Sequence, residues 1–283
     1  MKRLILLMTL ALIAPIALAA PASADHKWSK YHWPQKSTPL TLTIVDSTDQ
    51  SSPWKNMLAT ARQDWNDSPF LTLQSQTGTY SSSCDPISGK IRVCNDDYGS
   101  TGWLGVAQIW IYVGKGGHIA QATTKVNDYY FSGAGSIGYA YDNTAEMQHV
   151  VCQEVGHDFG LDHQSETSAS LDTCMDYYHN TGDSDLKSTH PNQGDIDELQ
   201  CLYDPASKGV TISSNIDLPG GGSYTHTCTG SGHLDTSSKP GGGGGGGGPG
   251  GGPPGGGPGS GGRPTVIVSQ VGQFWLVTFI HWN

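Results

Sequence analysis

The chain of 283 residues has a hydrophobic content of 36% and a formal net charge of −10. This length and composition suffice for one sizeable core and a smaller appendage. The acidic balance argues against a nucleic-acid partner, because the sequence has no stripe of basic residues. Beyond the N-terminus, no segment is long and apolar enough to be expected to span a membrane.

The residues 1–24 have the pattern of a secretory signal peptide. Met1, Lys2 and Arg3 precede an apolar run over 4–20, and small residues follow it. A membrane anchor is the alternative, but the run is short for a transmembrane helix. We therefore expect cleavage before Asp25 and a secreted, extracellular protein.

Local patterns predict alternating strands and helices after a short N-terminal segment, 25–39. Apolar and β-branched residues predict strands over 40–45, 70–73, 103–112 and 119–126, with part of a fifth over 129–131. Pro53 begins a helix that has apolar residues on one face. The polar segment 81–98 is predicted to be a loop.

The stretch 143–178 carries the pattern with the most chemical content. Asn143 is the first residue of a capping box, which predicts the start of a helix. Gln153 and His157 are four residues apart, so they share one helical face and could bind one ion together. Gly160 favours a left-handed turn that ends the helix.

The residues from Gln153 to His163 match the zinc-protease pattern H-E-x-x-H-x-x-G-x-x-H at every defined position except the first, where glutamine replaces histidine. A zinc ion with three protein ligands lowers the pKa of water towards neutrality and polarises a peptide carbonyl. The pattern predicts Gln153, His157 and His163 as ligands of Zn²⁺. It predicts Glu154 as the general base.

The amide oxygen of Gln153 is a weaker donor for zinc than imidazole, so we expect reduced zinc affinity. Two other ligands are open alternatives. His149 lies one turn before Gln153, and an ion that Gln153 and His157 share would be too far from it, because each turn rises about 5.4 Å. Cys174 could act as a soft ligand, although its neighbour Met175 favours a structural role.

The residues 174–177, Cys-Met-Asp-Tyr, are similar to the Met-turn of metzincins. With the zinc pattern, they make the segment 40–203 resemble a matrixin-type metzincin, the clan of the matrix metalloproteases. The resemblance implies an α/β (α+β) catalytic domain over 40–207, with a twisted mixed sheet, an active-site helix and a C-terminal helix. It also implies a zinc metalloendopeptidase that hydrolyses peptide or protein substrates. Three departures are the exchanged ligand, the absence of a proline after the Met-turn, and the absence of an expected cysteine-switch propeptide.

The resemblance implies that Met175 is a hydrophobic floor rather than a ligand. Tyr177 and Tyr178 would wall the pocket or stabilise an oxyanion, and core packing is the alternative. An edge strand before the helix would hold an extended peptide, with 118–124 as the candidate strand. A plain edge strand without a ligand is the alternative of equal weight. The groove candidates are His118, Ile119, Ala120 and Tyr178.

Six cysteines in an exported chain predict disulfides, and six allow fifteen pairings. We favour one local bridge, one bridge that would join the active-site helix to the Met-turn, and one pair of the remaining cysteines. These pairs are Cys84–Cys94, Cys152–Cys174 and Cys201–Cys228.

The sequence after the Met-turn predicts a last helix over 195–203, begun by a capping box of Asp195 and Glu198. We expect an isolated C-terminal hairpin to be marginal in water, so it should pair with strands from 210–226 in a small β-rich unit. An independent tail that binds a surface or partner is the alternative. The predicted segments are a β-rich extension over 208–239, a Gly/Pro-rich linker over 240–262 and a hairpin over 263–283.

The sequence thus predicts a secreted, monomeric zinc endopeptidase whose partner is a peptide or protein substrate. Two other functions stay open. One is an inactive binding protein that keeps the fold and the groove. The other is a surface adhesin in which the C-terminal unit does the main work.

Overall fold

The computed structural model describes residues 26–28, 31–131, 141–166, 170–180, 186–214, 224–228 and 265–283. The predicted signal peptide and the predicted Gly/Pro-rich linker lie outside the described residues. Within these ranges, no helix combines the length and the apolar character that a membrane crossing requires.

Most strands of the described residues belong to one mixed sheet. In chain order the strands are β1 (Leu40–Asp46), β2 (Leu71–Thr77), β3 (Ile91–Asp96), β4 (Trp103–Tyr112), β5 (Ile119–Asn127), β6 (Thr211–Ser214), β7 (Tyr224–Thr227), β8 (Val266–Val271) and β9 (Phe274–Trp282). The seven-stranded sheet has the order β2-β1-β3-β5-β4-β9-β8, and β6 pairs with β7. Strands β1, β2, β3 and β5 are parallel, whereas β4 is antiparallel to β5 and β9. The predicted mixed sheet is confirmed.

The helices include the predicted active-site helix and C-terminal helix. They are α1 (Trp54–Asn66), α2 (Thr144–Asp158) and α3 (Gln193–Tyr203). The indole Nε1 of Trp65 in α1 donates to the carbonyl of Cys152 in α2 at 3.1 Å, which holds the two helices together. The buried residues of α1 recur every three or four positions, as expected for a helix with one apolar face. They are Trp54, Leu58, Ala61 and Trp65.

Helix α2 is enclosed on all sides. Each of its residues after Thr144 is buried, and seven of these carry polar or charged side chains. Burying a polar group is costly unless it has a partner, yet both carboxyl oxygens of Glu154 have no hydrogen-bond partner among the described residues. A buried polar helix of this kind indicates a functional role in addition to packing.

Two predictions for the first half of the chain are wrong. The segment 81–98 contains strand β3, which pairs with both β1 and β5. The segment 129–131 is not a strand, because a 3₁₀ turn covers Asp128–Tyr130 and the side chain of Asn127 accepts a hydrogen bond from the backbone N–H of Tyr129.

The start of α3 also differs from the prediction. Its N-cap is Asn192, whose side chain accepts from the backbone N–H groups of Gly194 and Asp195. The carboxylate of Asp195 accepts in return from the backbone N–H of Asn192 at 2.7 Å. A capping box is therefore present, but Asp195 is its second member and Glu198 has no part in it.

The C-terminal hairpin extends the main sheet. Strand β9 pairs along the whole of β4, from Trp103 opposite Trp282 to Tyr112 opposite Phe274. The prediction that this hairpin pairs with strands from 210–226 is therefore wrong. The two strands of that region, β6 and β7, form the small β-rich unit with each other.

The structure joins the six cysteines in the three pairs that the sequence analysis favoured. The Cys84–Cys94 bridge closes the loop before β3. The Cys152–Cys174 bridge joins α2 to the segment that contains Met175. The Cys201–Cys228 bridge joins α3 to the end of β7.

Candidate metal centre and the strand that covers it

Both ends of α2 form as the local sequence predicts. The side-chain oxygen of Asn143 accepts from the backbone N–H of Glu146 at 2.8 Å. After Asp158 the chain turns at Gly160, whose φ is +93°, and the backbone N–H of Gly160 donates to His157 at 2.9 Å. A β-carbon at Gly160 would lie 2.6 Å from the carbonyl oxygen of Tyr31, so glycine is needed there for space as well as conformation.

This turn brings His157 and His163 together. Their Nε2 atoms are 3.2 Å apart, and the Nδ1 of His157 is 3.0 Å from the carbonyl oxygen of Leu161. That carbonyl accepts the Nδ1–H of His157, which leaves the Nε2 lone pair facing His163. Burial lowers the pKa of His157 well below its usual range, and the neighbouring His163 lowers it further, so the ring is neutral.

The geometry of this histidine pair fits a zinc ion. Two nitrogen ligands at about 2.0–2.1 Å from zinc, at the tetrahedral angle, are separated by about 3.3 Å. The observed separation between His157 and His163 is 3.2 Å. The Nδ1 of His163 is buried and has no hydrogen-bond partner among the described residues, although the Glu166 carboxylate lies 3.8 Å away.

The third predicted ligand, Gln153, already uses both ends of its amide group. Its Nε2 donates to the carbonyl oxygen of Asp176 at 2.6 Å. Its Oε1 accepts a hydrogen bond from the Nδ1 of His281, a residue of β9. A carbonyl oxygen has two lone pairs, and this hydrogen bond uses one of them.

The predicted general base, Glu154, faces strand β4. A β-carbon at Gly105 would lie 2.7 Å from Glu154 Oε1, so the absence of a side chain at Gly105 makes room for the carboxyl group. Neither carboxyl oxygen finds a hydrogen-bond partner among the described residues. Burial raises the pKa of Glu154 well above its usual range, and the charge of Asp158 adds to this shift.

The predicted Met-turn residues lie next to α2 and β9. Met175 is fully buried against Gly156. The hydroxyl group of Tyr177 donates to the carbonyl of Ile280 at 3.3 Å and accepts from the backbone N–H of Trp282 at 2.8 Å. Tyr177 therefore binds the backbone of β9. Tyr178 is half-buried, and its backbone N–H donates to Asp176.

Strand β9 covers the histidine pair. The ring of Phe279 is stacked on the imidazole of His157, with centroids 4.2 Å apart and an interplanar angle of 6°. Trp28 packs edge-on against Phe279, with ring centroids 5.3 Å apart. Strand β9 pairs antiparallel with β4 along the length of β4, on the side away from β5.

The strand that was predicted to be the edge lies inside the sheet. The segment 118–124 belongs mostly to β5, which pairs with β3 on one side and β4 on the other. The backbone of the groove candidates is already paired: Tyr112 donates to His118 O, Ile119 donates to His32 O, and Gly89 donates to Ala120 O. The prediction that this strand lies at the edge is therefore wrong. The C-terminal hairpin pairs instead with β4, the strand next to it.

Sequence reasoning missed a second cluster beside this pair, formed by Glu146, His179 and His281. The atom pairs are His179 Nδ1 to Glu146 Oε1 at 2.8 Å, His281 Nε2 to His179 Nδ1 at 3.3 Å, and His281 Nε2 to Glu146 Oε1 at 3.7 Å. Burial lowers the pKa of His281 to about 3, so its ring is neutral. No spacing in the sequence indicates this cluster, because its members come from a helix, a loop and the last strand.

Comparisons with known proteins add weak similarities. No protein-family model matches the chain, and no curated protein matches it. Myroilysin superimposes with a TM-score of 0.35 and 12% identity, over 63% of this chain and 98% of that one. A hatching-enzyme zinc protease of the medaka fish Oryzias latipes, high choriolytic enzyme 1, gives 0.34 and 12%, over 62% and 96%. Archaemetzincin from Methanopyrus kandleri gives 0.33 and 12%, over 64% and 97%. Superpositions of this quality do not assign an activity, so the function depends on the geometry of the site.

Proposed function

We propose that the chain is a secreted zinc-dependent metalloendopeptidase that hydrolyses peptide bonds. The observation that carries this proposal is the 3.2 Å separation of the His157 and His163 Nε2 atoms at the end of a buried helix. In the same helix, Glu154 directly follows the third candidate ligand, Gln153. Three disulfides are compatible with an extracellular protein.

His157, His163 and Gln153 would hold the zinc ion. The His157 ring is oriented for this role by Leu161, and the Gln153 amide is oriented by the carbonyl of Asp176. When bound with an open position, zinc activates water and polarises the peptide carbonyl.

Glu154 would move the proton. Its carboxyl group would become a competent base if a cation bound at the histidine pair lowered its raised pKa. It would then accept a proton from the attacking water and transfer it to the leaving amine. The enclosed position of Glu154 keeps other water away from this proton.

The substrate would be an extended peptide that pairs with an antiparallel strand edge. The edge next to the histidine pair is that of β4, on which β9 lies with Phe279 stacked on His157. Main-chain pairing supplies affinity in this binding mode, and alternate side chains supply specificity. Substrate binding at β4 therefore requires β9 to detach.

A binding protein without catalysis is the second candidate function. It is favoured by one observation: both ends of the Gln153 amide are bonded within the protein, to Asp176 and His281. Such a protein would keep the fold, and Gln153 would hold β9 in place through His281 instead of binding a metal ion.

The two functions differ in the effect of Glu154→Gln. Purified full-length protein, loaded with zinc, would be assayed on a fluorogenic peptide library beside this variant. An endopeptidase loses about 10²-fold or more of its activity with unchanged zinc content, because a general base contributes about 10²–10⁴-fold. Absence of both zinc and cleavage in the wild type supports the binding protein, and equal cleavage by both proteins removes Glu154 from its role.

A further inference from the structure

Three side chains from distant parts of the chain meet beneath the last strand. Glu146 lies in the first turn of α2, His179 follows the Met175 segment, and His281 lies in β9. We infer that these three residues form a second divalent-metal site, separate from the His157–His163 pair, and that the bound ion fastens β9 to α2.

The distances within this cluster suit one shared cation. Ligand atoms at about 2.0–2.2 Å from a tetrahedral zinc ion are separated by about 3.3 Å. The three separations between Glu146 Oε1, His179 Nδ1 and His281 Nε2 are 2.8, 3.3 and 3.7 Å, which lie on both sides of that value. Two imidazole nitrogens and one carboxylate oxygen are a donor set that zinc uses in proteins, with a fourth position left for water.

The orientation of His281 leaves the required lone pair in the right place. Its Nδ1 donates to the amide oxygen of Gln153, which can only accept. Its Nε2 therefore has a lone pair, and this atom is the one that faces Glu146 and His179. Fixing a ligand histidine through its other nitrogen is the usual arrangement around a protein metal ion.

The surroundings of the cluster are enclosed except on one side. The side chains of Glu146 and His281 are completely buried, and that of His179 is 20% exposed, so an ion could enter from the His179 side. His149 packs edge-on against His281 with ring centroids 5.5 Å apart. Its Nδ1 lies 2.7 Å from the carbonyl of Ser188, which holds the ring in place beside the cluster.

The consequence for the cleft rests on the proposed function. A metal ion at this second site would join the first turn of α2 to the strand that lies on the edge of β4. Loading the site would hold β9 in place, and removing the ion would favour the detached strand. Metal at the second site would thereby oppose substrate access to the first.

Metal content tests the proposal directly. Full-length wild type would be titrated with Zn²⁺ and with Co²⁺, and bound metal counted by mass spectrometry after gel filtration. We expect two equivalents for the wild type and one for His179→Ala. The matched control is His190→Ala, because the partly exposed His190 pairs with Asp64 outside both clusters, and it should retain two. A wild type that binds no more than one equivalent, with the same count in His179→Ala, overturns the second site.

The variant His163→Ala separates this inference from the proposed function. If the chain binds one equivalent that His179→Ala removes and His163→Ala retains, the second site stands and the endopeptidase proposal fails. If His163→Ala removes it and His179→Ala does not, the second site fails and the endopeptidase proposal stands.

A measurement on the wild type alone covers the case of a variant that does not fold. Hydrogen–deuterium exchange of β9 amides would be compared with and without Zn²⁺. At a free zinc concentration ten times the dissociation constant, linkage predicts about tenfold slower exchange through the detached state. Unchanged exchange of β9 at saturating zinc contradicts the proposed attachment.

Discussion

The sulfur of Met175 lies against Gly156 of α2, in the space that a β-carbon at position 156 would need. The indole of Trp65 closes the same space, because its Cζ2 would be 2.8 Å from that β-carbon. Glycine is otherwise a poor residue for the middle of a helix. Its presence at 156 is explained by the close approach of the Met175 segment to the helix.

Gly156→Ala should destabilise the protein because it places a methyl group in this filled space. Overpacking costs roughly 1–3 kcal/mol, which exceeds the approximately 1 kcal/mol that alanine gains over glycine in a helix. Urea unfolding followed by circular dichroism would measure the change in free energy of unfolding. The control is Gly156→Ala combined with Met175→Ala, in which the clash is relieved. Purely additive effects of the two substitutions would show that the residues do not interact in this way.

Gln153→His should increase zinc affinity. Imidazole is a better zinc donor than a carboxamide oxygen, and the substitution restores the missing position of the zinc pattern. We expect at least about a tenfold tighter dissociation constant, equivalent to about 1.4 kcal/mol. Competition with a chromophoric chelator would measure it, with Gln148→His as a control that adds a histidine elsewhere on the same helix. Unchanged affinity would mean that residue 153 is not a ligand.

Tyr177→Phe should loosen β9. The substitution removes two hydrogen bonds, one to the carbonyl of Ile280 and one from the N–H of Trp282, and a typical hydrogen bond contributes about 0.5–1.5 kcal/mol. Amide exchange across Phe274–Trp282 should accelerate, and peptide cleavage should rise if the proposed function holds. Tyr178→Phe, at the half-buried neighbour, is the control. Equal exchange in the two variants would argue against Tyr177 as an anchor of β9.

Stability should depend on pH through His26, whose Nε2 lies 2.9 Å from the Asp195 carboxylate. Burial alone would lower the pKa of His26, but the hydrogen bond and charge of Asp195 outweigh it, and the pKa is raised. The protonated ring therefore favours the folded state. Its contribution is complete below the unfolded pKa of about 6.5 and is lost as pH rises through the folded value.

Unfolding free energies measured between pH 5.5 and 8.5 would test this dependence. Wild type should lose more stability with rising pH than His26→Asn, because asparagine does not titrate in this range. Identical pH dependence of the two proteins would show that the His26–Asp195 pair does not contribute in the assigned direction.

Short-range patterns predicted those parts of the fold that depend on neighbouring residues. The start of α2 at Asn143, its end before Gly160 and the return of His163 follow from capping and turn preferences, and the structure has all three. Strand β3 was not predicted, because Arg92 and Asn95 interrupt the apolar residues of its sequence. In the structure, the Arg92 side chain donates hydrogen bonds to the hydroxyl group of Ser47 and to the backbone carbonyl of Asp85.

Long-range arrangement was not predictable from these patterns. Alternating residues indicated that β5 and β9 are strands, but they carry no information about which strands lie beside them. The segment 118–124 was therefore assigned to a sheet edge, although β3 and β4 pair with it on its two sides. The second cluster was not predictable for the same reason, because its members are far apart in sequence. His179 is 33 residues from Glu146, and His281 is 102 residues from His179.

Strand β9 and the β4 edge belong to the same molecule, and Cys228, before the glycine-rich tract, is bonded to Cys201. A competitor on the same chain acts intramolecularly, so its occupancy of β4 does not depend on the concentration of the protein. A free peptide must therefore compete with a strand that dilution does not remove. If the proposed function holds, hydrolysis would proceed no faster than β9 detaches, so the rate at saturating peptide would report the frequency of detachment rather than the speed of bond cleavage.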